Sequence, residues 1–216
     1  MMQSFDIAII GGGMVGLTVA ALLQDSDLRI AVIEGKLPEE HLNELPDVRV
    51  SALSRASENI LKNVGAWAGI EARRSSAYDA ITVWEQDSFA KIEFSASEIH
   101  QKDLGHIVEN RVIQLALLEQ VKSQDNVTLF APERCKDVVM GETEAWVTLE
   151  SGQSFTTKLL VGADGANSWL RNKSEIPLTP WDYGPSAIVA NIKTAEPHGG
   201  IARQIFTPDG PLAFCL

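Results

Sequence analysis

Phe5-Asp6-Ile7-Ala8-Ile9-Ile10-Gly11-Gly12-Gly13-Met14-Val15-Gly16 is the stretch that decides the fold. Residues 5–10 are mostly apolar and rich in β-branched side chains, the pattern of a strand buried on both faces in a parallel sheet. Three glycines then break the run, and Met14 to Gln24 reads as a helix with small residues on its sheet-facing side. Asp25-Ser26-Asp27 ends that helix, and Arg29 to Glu34 makes a second strand. Together these pieces form one βαβ unit. Gly11, Gly13 and Gly16 carry the Gly-x-Gly-x-x-Gly spacing, with Gly12 and Val15 in the same turn. Gly11 permits the tight turn, Gly13 lets backbone approach a pyrophosphate, and Gly16 lets helix and strand pack closely. The helix N-terminus offers free amides and a positive dipole end to the negative charge. Glu34 follows Gly16 by 18 residues. A carboxylate there can accept hydrogen bonds from ribose hydroxyls and would repel a 2′-phosphate. This motif leaves NAD and FAD equally open.

Composition narrows the class. The chain has 216 residues, 45% hydrophobic and 22% charged, which suits a folded globular protein. With 18 Lys and Arg against 29 Asp and Glu, the net charge is −11. Such a chain repels phosphate backbones, so nucleic acid is not an expected partner. Two cysteines, Cys135 and Cys215, make neither a disulfide framework nor a zinc cluster and suit a reducing cytoplasm. Ile7 to Leu23 is uncharged, but four glycines interrupt it and no basic residue precedes it, so it reads as neither a membrane span nor an export signal. A cytoplasmic location is the resulting expectation.

Further along, Lys36 to Asp47 reads as a loop, Arg49 to Leu53 as extended, and Ser54 to Val64 and Arg111 to Lys122 as helices. Asp79 to Glu85 and Lys91 to Phe94 alternate like an antiparallel pair. Strands are expected at Val127 to Phe130, Cys135 to Met140, Trp146 to Leu149, Ser154 to Thr156 and Leu159 to Val161. Ala187 to Ile192 and Ala202 to Phe206 also alternate and read as antiparallel strands. The terminal Ala213-Phe214-Cys215-Leu216 reads as a strand begun without a partner in this chain.

A second motif, Gly162-Ala163-Asp164-Gly165-Ala166-Asn167-Ser168, again runs from an apolar strand into a glycine turn. Asp-Gly favours a hairpin, yet a helix-like segment, Ser168 to Lys173, follows in place of a matching strand. The alternative is a second nucleotide-contacting turn, with Asp164 accepting from a ribose or standing near a pyrophosphate.

At this point the sequence resembles the FAD-dependent aromatic-ring hydroxylases of the para-hydroxybenzoate hydroxylase type. It is most similar to their ubiquinone-biosynthesis branch, and within that to the 2-polyprenylphenol hydroxylases, while Phe206 to Pro211 also resembles the sister hydroxylases that act on a demethoxy-quinol. The carrying stretches are Asp6 to Gly16, Asp47 to Leu53, Gly105 to Asn110, Gly162 to Arg171 and Pro177 to Tyr183. The resemblance implies an α/β fold: a Rossmann-like FAD domain, residues 1–75 and 101–178, interleaved with an incomplete antiparallel β substrate domain, residues 76–100 and 179–216. It implies FAD as cofactor and NAD(P)H as electron donor. Gly11, Gly13 and Gly16 correspond to the pyrophosphate fingerprint, Glu34 to the acid on the adenosine ribose, and Arg49 to an arginine along the dinucleotide. Asp164 and Gly165 correspond to an Asp-Gly motif associated with FAD and the donor. Asn110 stands where many relatives place an FAD-contacting arginine.

The implied activity is monooxygenation of a hydrophobic prenylated phenol. The implied setting is peripheral contact with the inner membrane or with a ubiquinone-biosynthesis complex, and a homo-oligomer stays open. Chains of this family continue with a second half that holds most of the substrate pocket, so this chain is expected to be truncated. Two rivals remain at this stage: another flavoenzyme on the same scaffold, such as a prenyl reductase, or an inactive nucleotide-binding fragment. No catalytic acid or base and no metal-ligand spacing stands out. His106 reads as a capping or packing residue, Cys135 as a buried strand residue, and the five tryptophans as core or interface packing, with Trp181 and Tyr183 as weaker candidates for a pocket border.

Overall fold

Strand β1 (Gln3–Ile10) has the burial its sequence requires, with Ala8, Ile9 and Ile10 all withdrawn from solvent. The structure is a computed structural model that describes residues 2–182, 184 and 186–215. After β1 come α1 (Met14–Leu22), β2 (Ile30–Ile33), β3 (Val50–Ser54), α2 (Arg55–Asn63), α3 (Trp67–Glu71), β4 (Ser76–Tyr78), β5 (Ala80–Glu85) and β6 (Lys91–Ser95). A single 3-10 turn, Ala96–Ile99, leads to β7 (Gly105–Glu109) and α4 (Asn110–Lys122). The chain continues through β8 (Val127–Phe130), β9 (Cys135–Met140), β10 (Ala145–Leu149), β11 (Ser154–Gly162), α5 (Trp169–Lys173), β12 (Ile201–Thr207) and β13 (Gly210–Phe214). Packing divides it into two units, one of residues 1–42, 63–66 and 113–187, the other of 43–62, 67–112 and 188–216.

The first unit is a six-stranded sheet ordered β8-β2-β1-β11-β10-β9. Four neighbours, β8, β2, β1 and β11, run parallel, while β10 and β9 turn back antiparallel. Ile10 is in register with Ile33 on one side and Gly162 on the other, so three strands end level and release their turns at one edge. That edge is where parallel α/β sheets hold ligands. All four residues of β2 are buried, as a strand covered on both faces must be. In the core Phe155 meets Phe5 edge-on at 5.1 Å and stacks on Phe130 at 5.4 Å.

The second unit holds a three-stranded antiparallel sheet, β3-β7-β4, and a four-stranded sheet, β13-β12-β5-β6. In the latter β12 runs parallel to β5, and the two outer pairs are antiparallel.

The structure corrects four expectations. Ser154 to Thr156 and Leu159 to Val161 are one strand, β11, because β1 pairs with it from Phe155 to Gly162. Ala187 to Ile192 is no strand: Ile188, Val189 and Ile192 are all exposed, and alternation without a partner forms no ladder. The terminal apolar run does have a partner in this chain, since β13 folds back on β12, pairing Phe214 with Arg203; Leu216 lies outside the described residues. Finally, Ala202 to Phe206 takes a parallel neighbour as well as an antiparallel one.

Phe155 is fully buried between two rings. Phe155→Ala should lower unfolding free energy by about 3–5 kcal/mol in urea denaturation, the usual cost of emptying an aromatic site in a core.

Candidate functional site

Two strand exits stand side by side at the carboxyl edge of β1. Gly11 N–H donates to Ile33 O at 2.9 Å, and Ala163 N–H donates to Ile10 O at 2.7 Å. Gly11 has φ +109°, and a Cβ there would collide with the Ala163 carbonyl and stand 2.8 Å from Asp164 N. The first glycine is therefore demanded twice, by its own turn and by the neighbouring one. A Cβ on Gly16 would strike the Gly11 carbonyl and press Ile9 Cγ2 at 3.1 Å, so α1 lies directly against the end of β1.

Gly12 N–H donates to Glu34 Oε2 at 2.6 Å, and the other oxygen, Oε1, accepts from Lys36 N–H at 2.8 Å. The Glu34 carboxylate thus grips both the glycine turn and its own loop, and each oxygen retains a second lone pair for a ribose hydroxyl. Gly13 is the N-cap of α1, with no side chain to close the helix end and no acidic residue in the first turn. Nothing lies within 4 Å of where its Cβ would stand. Gly165, at φ +86°, is equally open. Val15 is exposed at the same helix end.

A cleft of about 700 Å³ has Gly11, Gly13, Glu34, Asp164 and Gly165 on its walls, with Lys36, Arg134 and Lys136 as its cations and Glu133 and Glu150 as further acids. Uncapped amides, a positive helix end, added cations and open space at Gly13 fit a pyrophosphate, while Glu34 fits the adjoining ribose. The residues present therefore suit a dinucleotide.

Asp164 has a further duty. Its Oδ1 accepts from Ser168 Oγ, and its Oδ2 accepts from Trp169 N–H at 2.6 Å and Leu170 N–H at 3.1 Å. The carboxylate caps α5 and holds the Gly165 turn in place. Burial pushes its pKa up, but bonds from the Ser168 hydroxyl and the backbone amides outweigh burial and hold it below the ordinary carboxylate value.

Arg49 and Asn110 belong to the second packing unit. There Asn110 N–H donates to Arg49 O at 3.0 Å, and Ser51 Oγ donates to Asn110 Oδ1 at 2.6 Å. The eight other expected residues gather in the first unit. Sequence reading missed Gln114, whose Nε2 donates to Gly12 O at 2.7 Å. It also missed Arg134, whose Nε would lie 2.8 Å from a Cβ on Gly35. No local signal marks either one, since Gln114 reaches the glycine turn, and Arg134 the loop after β2, from far along the chain.

The blander readings divide. His106 does not cap a helix; it sits inside β7, edge-on to Trp67 at 4.9 Å. Its Nδ1 comes within 3.2 Å of Glu58 Oε2 without hydrogen-bond alignment. Asp103 joins Glu58 there, but Arg55 and Lys62 neutralise the two acids. Cys135 is half-buried, and burial, with the charges of Asp164 and Glu133, pushes its thiol up to about 12. Trp67 is buried in the core, whereas Trp146 and Trp181 are exposed. Tyr183 lies outside the described residues.

The sequence profile of the FAD binding domain family matches residues 4–197. This chain belongs to that family. It is 36% identical to the 3-demethoxyubiquinol 3-hydroxylase of Escherichia coli strain K12 over 213 residues, 98% of this chain and 54% of that protein. It is likewise 36% identical to the mitochondrial ubiquinone biosynthesis monooxygenase COQ6 of Homo sapiens, over 97% of this chain and 48% of that one. The ubiquinone hydroxylase UbiL of Rhodospirillum rubrum is 33% identical over 96% of this chain and 48% of its own length. The chain spans about half the length of the curated relatives it matches. In fold it resembles Pseudomonas aeruginosa PqsL, with a TM-score of 0.69 at 21% identity over 84% of this chain and 48% of that chain. Among the described residues of this FAD-binding family member, no helix is long and apolar enough to cross a membrane.

Two predictions follow from the charges at this site. An acid whose folded pKa is depressed adds stability above its unfolded value and loses it as pH falls through the folded one. The stability advantage of wild type over Asp164→Asn should therefore be full near pH 6 and shrink below about 3.8, as read by urea melts across pH. At pH 8 a thiol reagent should modify exposed Cys215 quickly and Cys135 only after denaturation, because only the thiolate reacts.

Proposed function

We propose that this chain holds FAD for a flavoprotein monooxygenase that hydroxylates the aromatic ring of a polyprenylated phenol in ubiquinone biosynthesis. The observation that carries the reading is the glycine turn under α1, open at Gly13 and backed by Glu34, in a chain whose relatives are named as ubiquinone-biosynthesis hydroxylases. FAD, once reduced by NAD(P)H, supplies the oxygen activation that a side chain cannot. The chain's own part is to bind and orient. Gly13 and the first amides of α1 receive the pyrophosphate, and Glu34 accepts from the ribose. Lys36 and Arg134 offset phosphate charge along the cleft wall. The Asp164 cap keeps the Gly165 turn open to the ligand. Arg49 and Asn110 remain candidate cofactor contacts by resemblance to the family.

The reading assigns residues 1–75 and 101–178 to cofactor binding and 76–100 and 179–216 to the substrate side. It places the working protein in the cytoplasm, at the periphery of the inner membrane where a prenylated substrate is found. The ring carbon attacked is left to product analysis.

The test is a flavin titration followed by turnover. The purified chain should retain FAD through gel filtration, and Gly13→Ala, whose methyl meets only open space inside the protein, should fold normally and retain at least tenfold less. With NADH or NADPH, oxygen uptake should rise when a short-chain prenylphenol is added, and the product should be heavier by one oxygen atom. A chain folded by circular dichroism that retains no FAD overturns the assignment for these 216 residues.

A further inference from the structure

The glycine turn is held peptide by peptide. The 10–11 peptide donates to Ile33 O and accepts from Ala163 N–H. The 11–12 peptide donates through Gly12 N–H to Glu34 Oε2, and its Gly11 carbonyl is pressed against Gly16. The 13–14 peptide accepts from Leu17 N–H as α1 begins. The 12–13 peptide lies between these, in a glycine pair with no side chains to steer it. Its carbonyl accepts from Gln114 Nε2 at 2.7 Å. A trans peptide is planar, with C=O and N–H pointing in opposite directions. Whatever holds the Gly12 oxygen therefore aims the Gly13 N–H the other way.

We infer that Gln114, on α4, is a positioning residue for the dinucleotide: by fixing the Gly12 carbonyl it orients the Gly13 amide toward the pyrophosphate. The inference rests on the FAD-binding reading above. Gly13 lines the cleft, and nothing lies within 4 Å of where its Cβ would stand. A glycine pair is the place where such a clamp matters most, because glycine peptides rotate with little steric resistance. Preorganisation of this kind increases affinity by removing an ordering cost at binding.

The experiment compares wild type, Gln114→Leu and Gly13→Ala in the full chain by calorimetric titration with FAD, ADP and adenosine, alongside the melting temperature of each unliganded protein. Gln114→Leu should weaken FAD and ADP about threefold to tenfold, the worth of one hydrogen bond. Adenosine, which has no phosphate, should bind unchanged. A general packing role would weaken all three ligands in parallel. That pattern, or no change in any of them, overturns the inference. If Gly13→Ala still loses FAD in either case, the FAD-binding reading survives without the Gln114 clamp. A folded wild type that binds neither FAD nor ADP overturns both.

Discussion

The structure depends on one close approach. The turns leaving β1 and β11 lie against each other, and the space between Gly11, Gly16 and Ala163 admits no Cβ. This contact couples three features that would otherwise be independent. It sets α1 directly on the end of β1 and keeps β11 in register with β1 up to Ile10 and Gly162. It also leaves the two glycine turns facing one cleft. Parallel strands need long crossovers and gain little from local pairing. An inflexible junction at the end of the ladder is therefore an efficient place to specify register.

How legible this was depends on the distance over which each signal acts. The βαβ unit and Glu34 could be read because turn, helix cap and acid all lie within one crossover. The Asp164 turn could be recognised as a non-hairpin because a helix start follows within four residues. Its inward use was not legible: the carboxylate faces amides of α5, and only coordinates show which way it turns. Lys158, a charge in mid-strand, lies between the two pieces into which the sequence divides β11. That lysine is exposed and pairs with Asp6 Oδ1 of β1 at 2.8 Å, so the charge supports the very pairing it hid. The reverse error at Ala187 to Ile192 has a different origin. Alternation describes what a strand would bury if a partner existed, and no residue in the segment specifies one.

The second packing unit was harder to read. β7 carries His106 and Glu109 on either side of Ile107 and Val108, so its pattern is ambiguous until β3 and β4 are known to flank it. Its charged groups are explained by long-range partners. Glu109 Oε1 meets Arg74 Nη1 at 3.1 Å, and Glu109 Oε2 accepts from Asp47 N–H at 2.8 Å. A buried acid so engaged fixes the loop that carries Arg49, whose own N–H donates to Asp47 Oδ1 at 3.0 Å. Sequence shows Arg49 and Glu109 as unrelated charges, and the fold makes one a support for the other's segment.

A protein of net charge −11 faces a difficulty in holding a doubly negative pyrophosphate. Long-range repulsion between exposed charges is screened within about 8–10 Å at physiological salt, so the local arrangement decides. The two acids nearest the turn are turned to the chain's own use. Glu34 spends its charge on the amides of Gly12 and Lys36, and Asp164 on those of Trp169 and Leu170. Each carboxylate is therefore partly compensated by backbone dipoles before any ligand arrives, and each fixes a turn while doing so. Glu133 on the cleft wall likewise accepts from Arg134 N–H at 3.0 Å, and the amide end of α1 and the cations Lys36, Arg134 and Lys136 stand beside these acids and Glu150. Glu34 and Asp164 thus serve as scaffold, and that use lets an acidic chain offer helix amides and local cations to a phosphate without a large basic patch.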